Sequence, residues 1–129
     1  MAEQGLTIGV SGLRFNVRYA NTRTGDRGPS LRVYGDVEGK PVQLLRFDCF
    51  ENDPHYHYAP DGRDDHRKLS RDEVPDPVAW TLAQLSGNLV SMIRTAGFDE
   101  LADRVDGDAV AAAIPRIEAT IRELSQTAA

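Results

Sequence analysis

The sequence predicts an α+β fold: an antiparallel β-meander of about four strands, packed on one face by two or three C-terminal helices. Three observations predict it. Apolar and polar residues alternate with period two near the N-terminus, turn signals recur at short intervals up to Gly62, and apolar residues recur at three- and four-residue steps after Asp76. The expected organisation is one domain over residues 1–129, with the sheet at about 6–60, a charged loop at 61–76 and helices at 77–125.

The first strand follows from strict alternation, with Leu13, Phe15, Val17 and Tyr19 on one side and Arg14, Asn16 and Arg18 on the other. Residues 21–30 gather Gly, Pro, Asn, Asp and Ser and read as a mobile loop. A second strand is expected over Leu31–Val37, the turn Glu38-Gly39-Lys40-Pro41, and a third strand over Val42–Phe50. Asn52-Asp53-Pro54 signals another turn, His55–Tyr58 a short fourth strand, and Ala59-Pro60-Asp61-Gly62 a third turn.

Asp76 has the chemistry of an N-cap, with Pro77 at the first helical position. Val78, Leu82, Leu85, Leu89, Met92 and Ile93 then form one apolar stripe, and Gly97 is the natural stop. A short helix is expected from Asp99 to Val105 and a last one from about Asp108 to Leu124. Pro115 interrupts that last segment and predicts a kink or a break into two helices, because proline removes a backbone donor and crowds the preceding turn.

The composition is that of an ordinary globular chain, 40% hydrophobic and 27% charged. A lone cysteine, Cys49, and a beginning without the basic and apolar stretches of a secretory signal point to the cytoplasm. No apolar run is long enough to span a membrane. Of the net charge of −5, residues 1–60 carry seven acidic and seven basic side chains, so the excess of acid lies in the helical half. That balance argues against broad attachment to nucleic acid. Arg14, Arg18, Arg32 and Arg46 occupy outward positions on successive strands and could meet an anion, although Asp36 and Asp48 share that side and favour cross-strand ion pairs.

The concentrated chemical signal lies between Arg46 and His66. All three histidines, His55, His57 and His66, fall within it. On a strand, His55 and His57 project from one face with Cα atoms roughly 6–7 Å apart, a span that two ligands of one metal can bridge. A first-row divalent metal (zinc, iron or manganese) needs three or four such donors. Asp48 on the neighbouring strand, Asp61, Asp64 and Asp65 in the loop, and His66 folding back are the candidates to complete the set. His55, His57, His66, Asp48 and Asp61 form the expected ligand group. Cys49 points to the opposite face and reads as core. A metal-free alternative has Asp48 orienting His57 as a general base. In a third reading these residues only stabilise the hairpin of a non-catalytic accessory domain, acting as a homodimer or with a protein partner.

Leu45-Arg46-Phe47-Asp48 followed by Pro54-His55-Tyr56-His57-Tyr58 resembles a segment of small, mostly uncharacterised bacterial single-domain proteins. It is also loosely similar to the Arg-Tyr-Asp then Pro-His-His pattern of TumE-like toxins. That second resemblance implies an antitoxin partner and action on nucleic acid, but the adjacent His-His pair is absent and the helical half is acidic. His55-x-His57 with Asp61 four positions on is similar to a cupin metal motif. The glycine that cupins place before the histidines is missing, and too few strands remain for their double sheet.

Overall fold

In the computed structural model, which describes residues 5–128, two tight turns set the frame of the sheet. Ser11 and Gly12 have φ of 54° and 77°, and Glu38 and Gly39 have φ of 52° and 78°. Positive φ at both central residues is the type I′ geometry, whose twist matches that of the strands it joins. The first turn links β1 (Leu6–Val10) to β2 (Leu13–Asn21), and the second links β3 (Arg27–Val37) to β4 (Lys40–Asp48). β5 (His55–Tyr58) and β6 (Asp65–Lys68) follow, so the described residues form a six-stranded sheet in which each strand pairs antiparallel with the next. Residues 1–4 and 129 of the expected domain lie outside the described residues.

The meander is as expected, but it has six strands rather than about four. β1 is five residues long with only Ile8 buried, so it carries too little alternation to be read as a strand. β6, Asp65-His66-Arg67-Lys68, lies inside the expected charged loop and has no apolar residue to reveal it. Charges suit such an edge, because they oppose further strand addition. The expected loop at 21–30 also shrinks. Arg27–Ser30 already pair with Asn21–Arg18, and the reversal is confined to Thr22–Asp26, where Thr22 N donates to Asp26 O at 2.8 Å.

Alternation places Phe15, Val17, Leu31, Val33, Leu45 and Phe47 on one face, all buried. The helices cover that face: α1 (Pro77–Gly87), α2 (Leu89–Thr95), α3 (Asp99–Asp103) and α4 (Gly107–Ala128). Asp76 caps α1 as expected, its Oδ1 accepting from Ala79 N at 3.1 Å. The expected stripe is buried at Leu82, Leu85, Leu89, Met92 and Ile93, although the chain breaks at Asn88 into two helices. Each such fully buried side chain contributes roughly 1.5–3 kcal/mol. Trp80 lies at the edge of the core, its ring 5.1 Å from Tyr56 and 6.2 Å from Phe47. Cys49 also faces the helices, with Sγ 3.4 Å from Thr81 Oγ1, and burial pushes its thiol up to about 11.

The expected break at Pro115 does not occur, since α4 runs unbroken through it. Val110, Ala113, Ile117 and Ile121 are buried on both sides of the proline, so one face of the continuous helix stays in the core. Pro115 itself is exposed, and Ala111, whose carbonyl it leaves without a helical donor, is half-buried. Pro115→Ala is therefore expected to stabilise the protein by about 1–3 kcal/mol, measured by urea unfolding. No helix among the described residues is long and apolar enough to cross a membrane.

The opposite face of the sheet carries no apolar stripe. Register places Asn16, Arg32, Arg46, His57 and His66 in one row across β2 to β6, and Arg18, Ser30, Asp48, His55 and Lys68 in the next. Every residue in those two rows is polar.

Candidate metal centre

Each histidine owes its place to strand pairing. His55 lies opposite Asp48, and His57 lies between Arg46 and His66. The three imidazoles meet on the open face, with ring centroids 5.0 Å apart for His55 and His57, 4.5 Å for His55 and His66, and 4.8 Å for His57 and His66. One ligating nitrogen from each ring lies within 4.8 Å of the other two. Nitrogens on one tetrahedral zinc stand about 3.3–3.4 Å apart, at Zn–N distances of 2.0–2.1 Å, so small ring rotations would close the set. His66, exposed on the edge strand, is free to make them.

The other ring nitrogens are already engaged. His57 Nδ1 lies 2.7 Å from Asp64 Oδ1, and His55 Nδ1 lies 2.7 Å from the carbonyl of Asp53. A carbonyl or carboxylate only accepts, so both Nδ1 atoms donate; Nε2 of His57 is left as an acceptor, whereas Nε2 of His55 also donates, to Asp48 Oδ2 at 3.0 Å. For His57 a second contact agrees, because Arg46 Nη2, which can only donate, lies 3.4 Å from Nε2. Metal-binding histidines characteristically hold their second nitrogen against a carbonyl or carboxylate in this way.

Backbone conformation builds these contacts. Asp64 has φ of 49°, a left-handed conformation that aspartate tolerates, and its N–H donates to Ala59 O at 2.8 Å. The β5–β6 connection is thereby tightened and the Asp64 carboxylate carried back onto His57. On the other side, a side chain at Gly28 would place its Cβ 2.2 Å from Cys49 O, so only glycine lets β3 close on the end of β4 beside Asp48.

Asp48 is the buried anion of the site. Its Oδ1 accepts from Ser30 Oγ at 2.7 Å, and its Oδ2 lies 3.0 Å from Arg46 Nε, 3.0 Å from His55 Nε2 and 3.5 Å from His57 Nε2. Burial pushes its carboxyl upward, but hydrogen bonds from His55 and Ser30 and the charge of Arg46 outweigh that and hold it at about 2. His55 is also pulled down by burial, yet its bonds to Asp48 and Asp53 raise it above the usual imidazole value. For His57, burial together with the Arg46 charge outweighs the Asp64 bond and lowers it. The site therefore pairs a readily protonated His55 with a neutral His57.

Of the residues expected from sequence, the structure gathers His55, His57, His66 and Asp48. Asp61 lies exposed in the turn and outside the histidine group, and Asp64 is the loop carboxylate that reaches a histidine. Asp65 points to the other face and pairs with Arg67 at 2.8 Å. The expected Asp48–His57 couple is displaced: the carboxylate nearest His57 is Asp64, and Asp48 bonds more closely to His55. Ser30, fully buried opposite Asp48, went unnoticed in the sequence because the segment around it reads as loop.

No curated protein and no solved structure matches this chain. A family model described as a domain of unknown function (DUF7700) matches residues 7–121, which span the sheet and most of the helical layer, and the chain belongs to that family.

Proposed function

We propose that the open sheet face is a divalent transition-metal site, with His55, His57 and His66 as ligands through one ring nitrogen each and Asp48 beside them. The observation that carries this reading is that the three imidazoles bring one nitrogen each within 4.8 Å of one another, while Nδ1–H of His55 and of His57 is held by an oxygen acceptor. Three imidazole donors, with His55 giving up its Nε2 proton as it binds, favour zinc over the harder cations, which take oxygen ligands. Three protein ligands also leave a coordination position open, as in catalytic rather than purely structural zinc sites. Bound there, a metal would act as a Lewis acid toward a ligand in the open position. The chain's own part is to hold the imidazoles through Asp53 and Asp64 and to keep Asp48 ionised next to that position.

The test is titration of the untagged, chelator-treated protein with zinc and with cobalt, whose visible spectrum reports coordination geometry. One equivalent should bind, raise the melting temperature and, for cobalt, give a tetrahedral band. Asp64→Asn, which leaves the ligands in place, should weaken zinc binding about 10–100-fold. Absence of binding by zinc, cobalt, nickel, manganese and ferrous iron, with an unchanged melting temperature, would overturn the reading.

A further inference from the structure

The arginines of the open face are not all matched by carboxylates. Arg14 pairs with Asp36 at 2.9 Å and Arg46 with Asp48 at 3.0 Å, while Arg18 Nε donates to Asn16 Oδ1 at 3.0 Å. Arg32 is different. It occupies the central row between Asn16 and Arg46, directly opposite Arg46 in register, so two arginine side chains leave the same face of adjacent strands. Like charges directly opposite on a sheet are destabilising. Among the described residues, no carboxylate lies within ion-pair distance of Arg32, and its buried Nε has no acceptor. Burying such a donor unpaired costs its hydration with nothing in return, and more for a charged group. The only other buried side-chain polar atom without a partner among the described residues, Gln43 Oε1, is on the same face, since Gln43 pairs with Tyr34 and Tyr34 with Arg14. An arginine with no carboxylate partner, opposite a second arginine, offers the donors that an oxyanion needs.

We propose that Arg32 and Arg46 form a binding site for a small oxyanion, a carboxylate or phosphoryl group, and that the ligand of the metal centre is an anionic small molecule held by this pair. The second half rests on the metal reading, and the row Arg32–Arg46–His57–His66 supplies the connection. Neighbouring strands are about 4.8 Å apart, so an oxyanion over Arg32 and Arg46 lies within one small molecule's length of the imidazoles. Asp48 orders this arrangement, because it holds Arg46 Nε while Arg46 Nη2 lies 3.4 Å from His57 Nε2, which ties the guanidinium to the histidine end of the row. The acidic helical half opposes a polyanion such as nucleic acid, and a small anion fits two arginines better than an extended phosphate backbone.

The experiment follows the arginine Nε resonances of isotope-labelled, metal-free protein by NMR during separate titrations with inorganic phosphate and with acetate, chloride at matched ionic strength being the control. A shift of Arg32 Nε with either oxyanion and not with chloride is the expected result. The two arms tell a phosphoryl from a carboxylate preference. Arg32→Gln should weaken that binding roughly tenfold or more, and zinc affinity should be unchanged. Arg32→Lys, which keeps the charge but loses the fork, should bind less tightly than wild type. His66→Ala should weaken zinc binding and keep the oxyanion. An Arg32 Nε signal unmoved at millimolar phosphate and acetate, or moved equally by chloride, overturns the oxyanion site. Oxyanion binding without any metal binding would sustain the site and overturn the metal reading alone.

Discussion

Zinc affinity in His57→Ala is expected to fall roughly 100-fold or more, a larger loss than removing its supporting partner Asp64 would give. His57 sits at the middle of the cluster, paired across strands with Arg46 on one side and His66 on the other. It is buried, and its Nδ1 is committed to Asp64, so the geometry of Nε2 is fixed before any metal arrives. Such preorganisation concentrates binding energy in one ligand, because no side-chain freedom remains to be lost on coordination. His66 is exposed and must reorient, so His66→Ala should lower affinity by a smaller factor. Asp61→Asn should leave it unchanged, since Asp61 is outside the group. A competition titration against a chromophoric chelator ranks the variants. Equal affinities for His57→Ala and Asp61→Asn would show that metal binds elsewhere.

The histidine face was legible in the sequence because period-two geometry is nearly invariant: residues two apart on a strand must share a face, so His55 and His57 could be placed together from spacing alone. Asp48 beside them and Cys49 behind followed from the same alternation, and the structure bears out both. The edge of the sheet was not legible. β6 buries none of the apolar residues on which strand recognition depends, and its register against β5, which brings His66 to His57, depends on the left-handed backbone at Asp64. Asp61 was the expected ligand of the three aspartates in that loop, and composition alone cannot separate it from Asp64 and Asp65. Only the turn geometry turns Asp64 toward His57, sends Asp65 to the far face and leaves Asp61 in solvent. The choice among them belongs to tertiary structure rather than to local pattern.

The largest stability effect outside the core is expected at Asp48. Its side chain is 3% exposed and accepts from Ser30, Arg46 and His55, so Asp48→Asn leaves a buried amide facing donors it cannot all satisfy. In metal-free protein at neutral pH this should lower stability by about 2–3 kcal/mol and the melting temperature by roughly 10 °C. The sign of the pH dependence follows from the carboxyl itself. Its folded value of about 2 lies below the ordinary 3.8, so the ionised group stabilises the fold fully above about pH 4. That contribution disappears as pH falls from 3.8 through about 2, where folded and unfolded chains are both protonated. Wild type and Asp48→Asn should therefore differ most at neutral pH and converge across that acid window, as followed by urea unfolding at a series of pH values. A gap that stays constant down to pH 2 would mean that packing, not the buried charge, makes Asp48 matter, and that the three donors around it are held in place by something else.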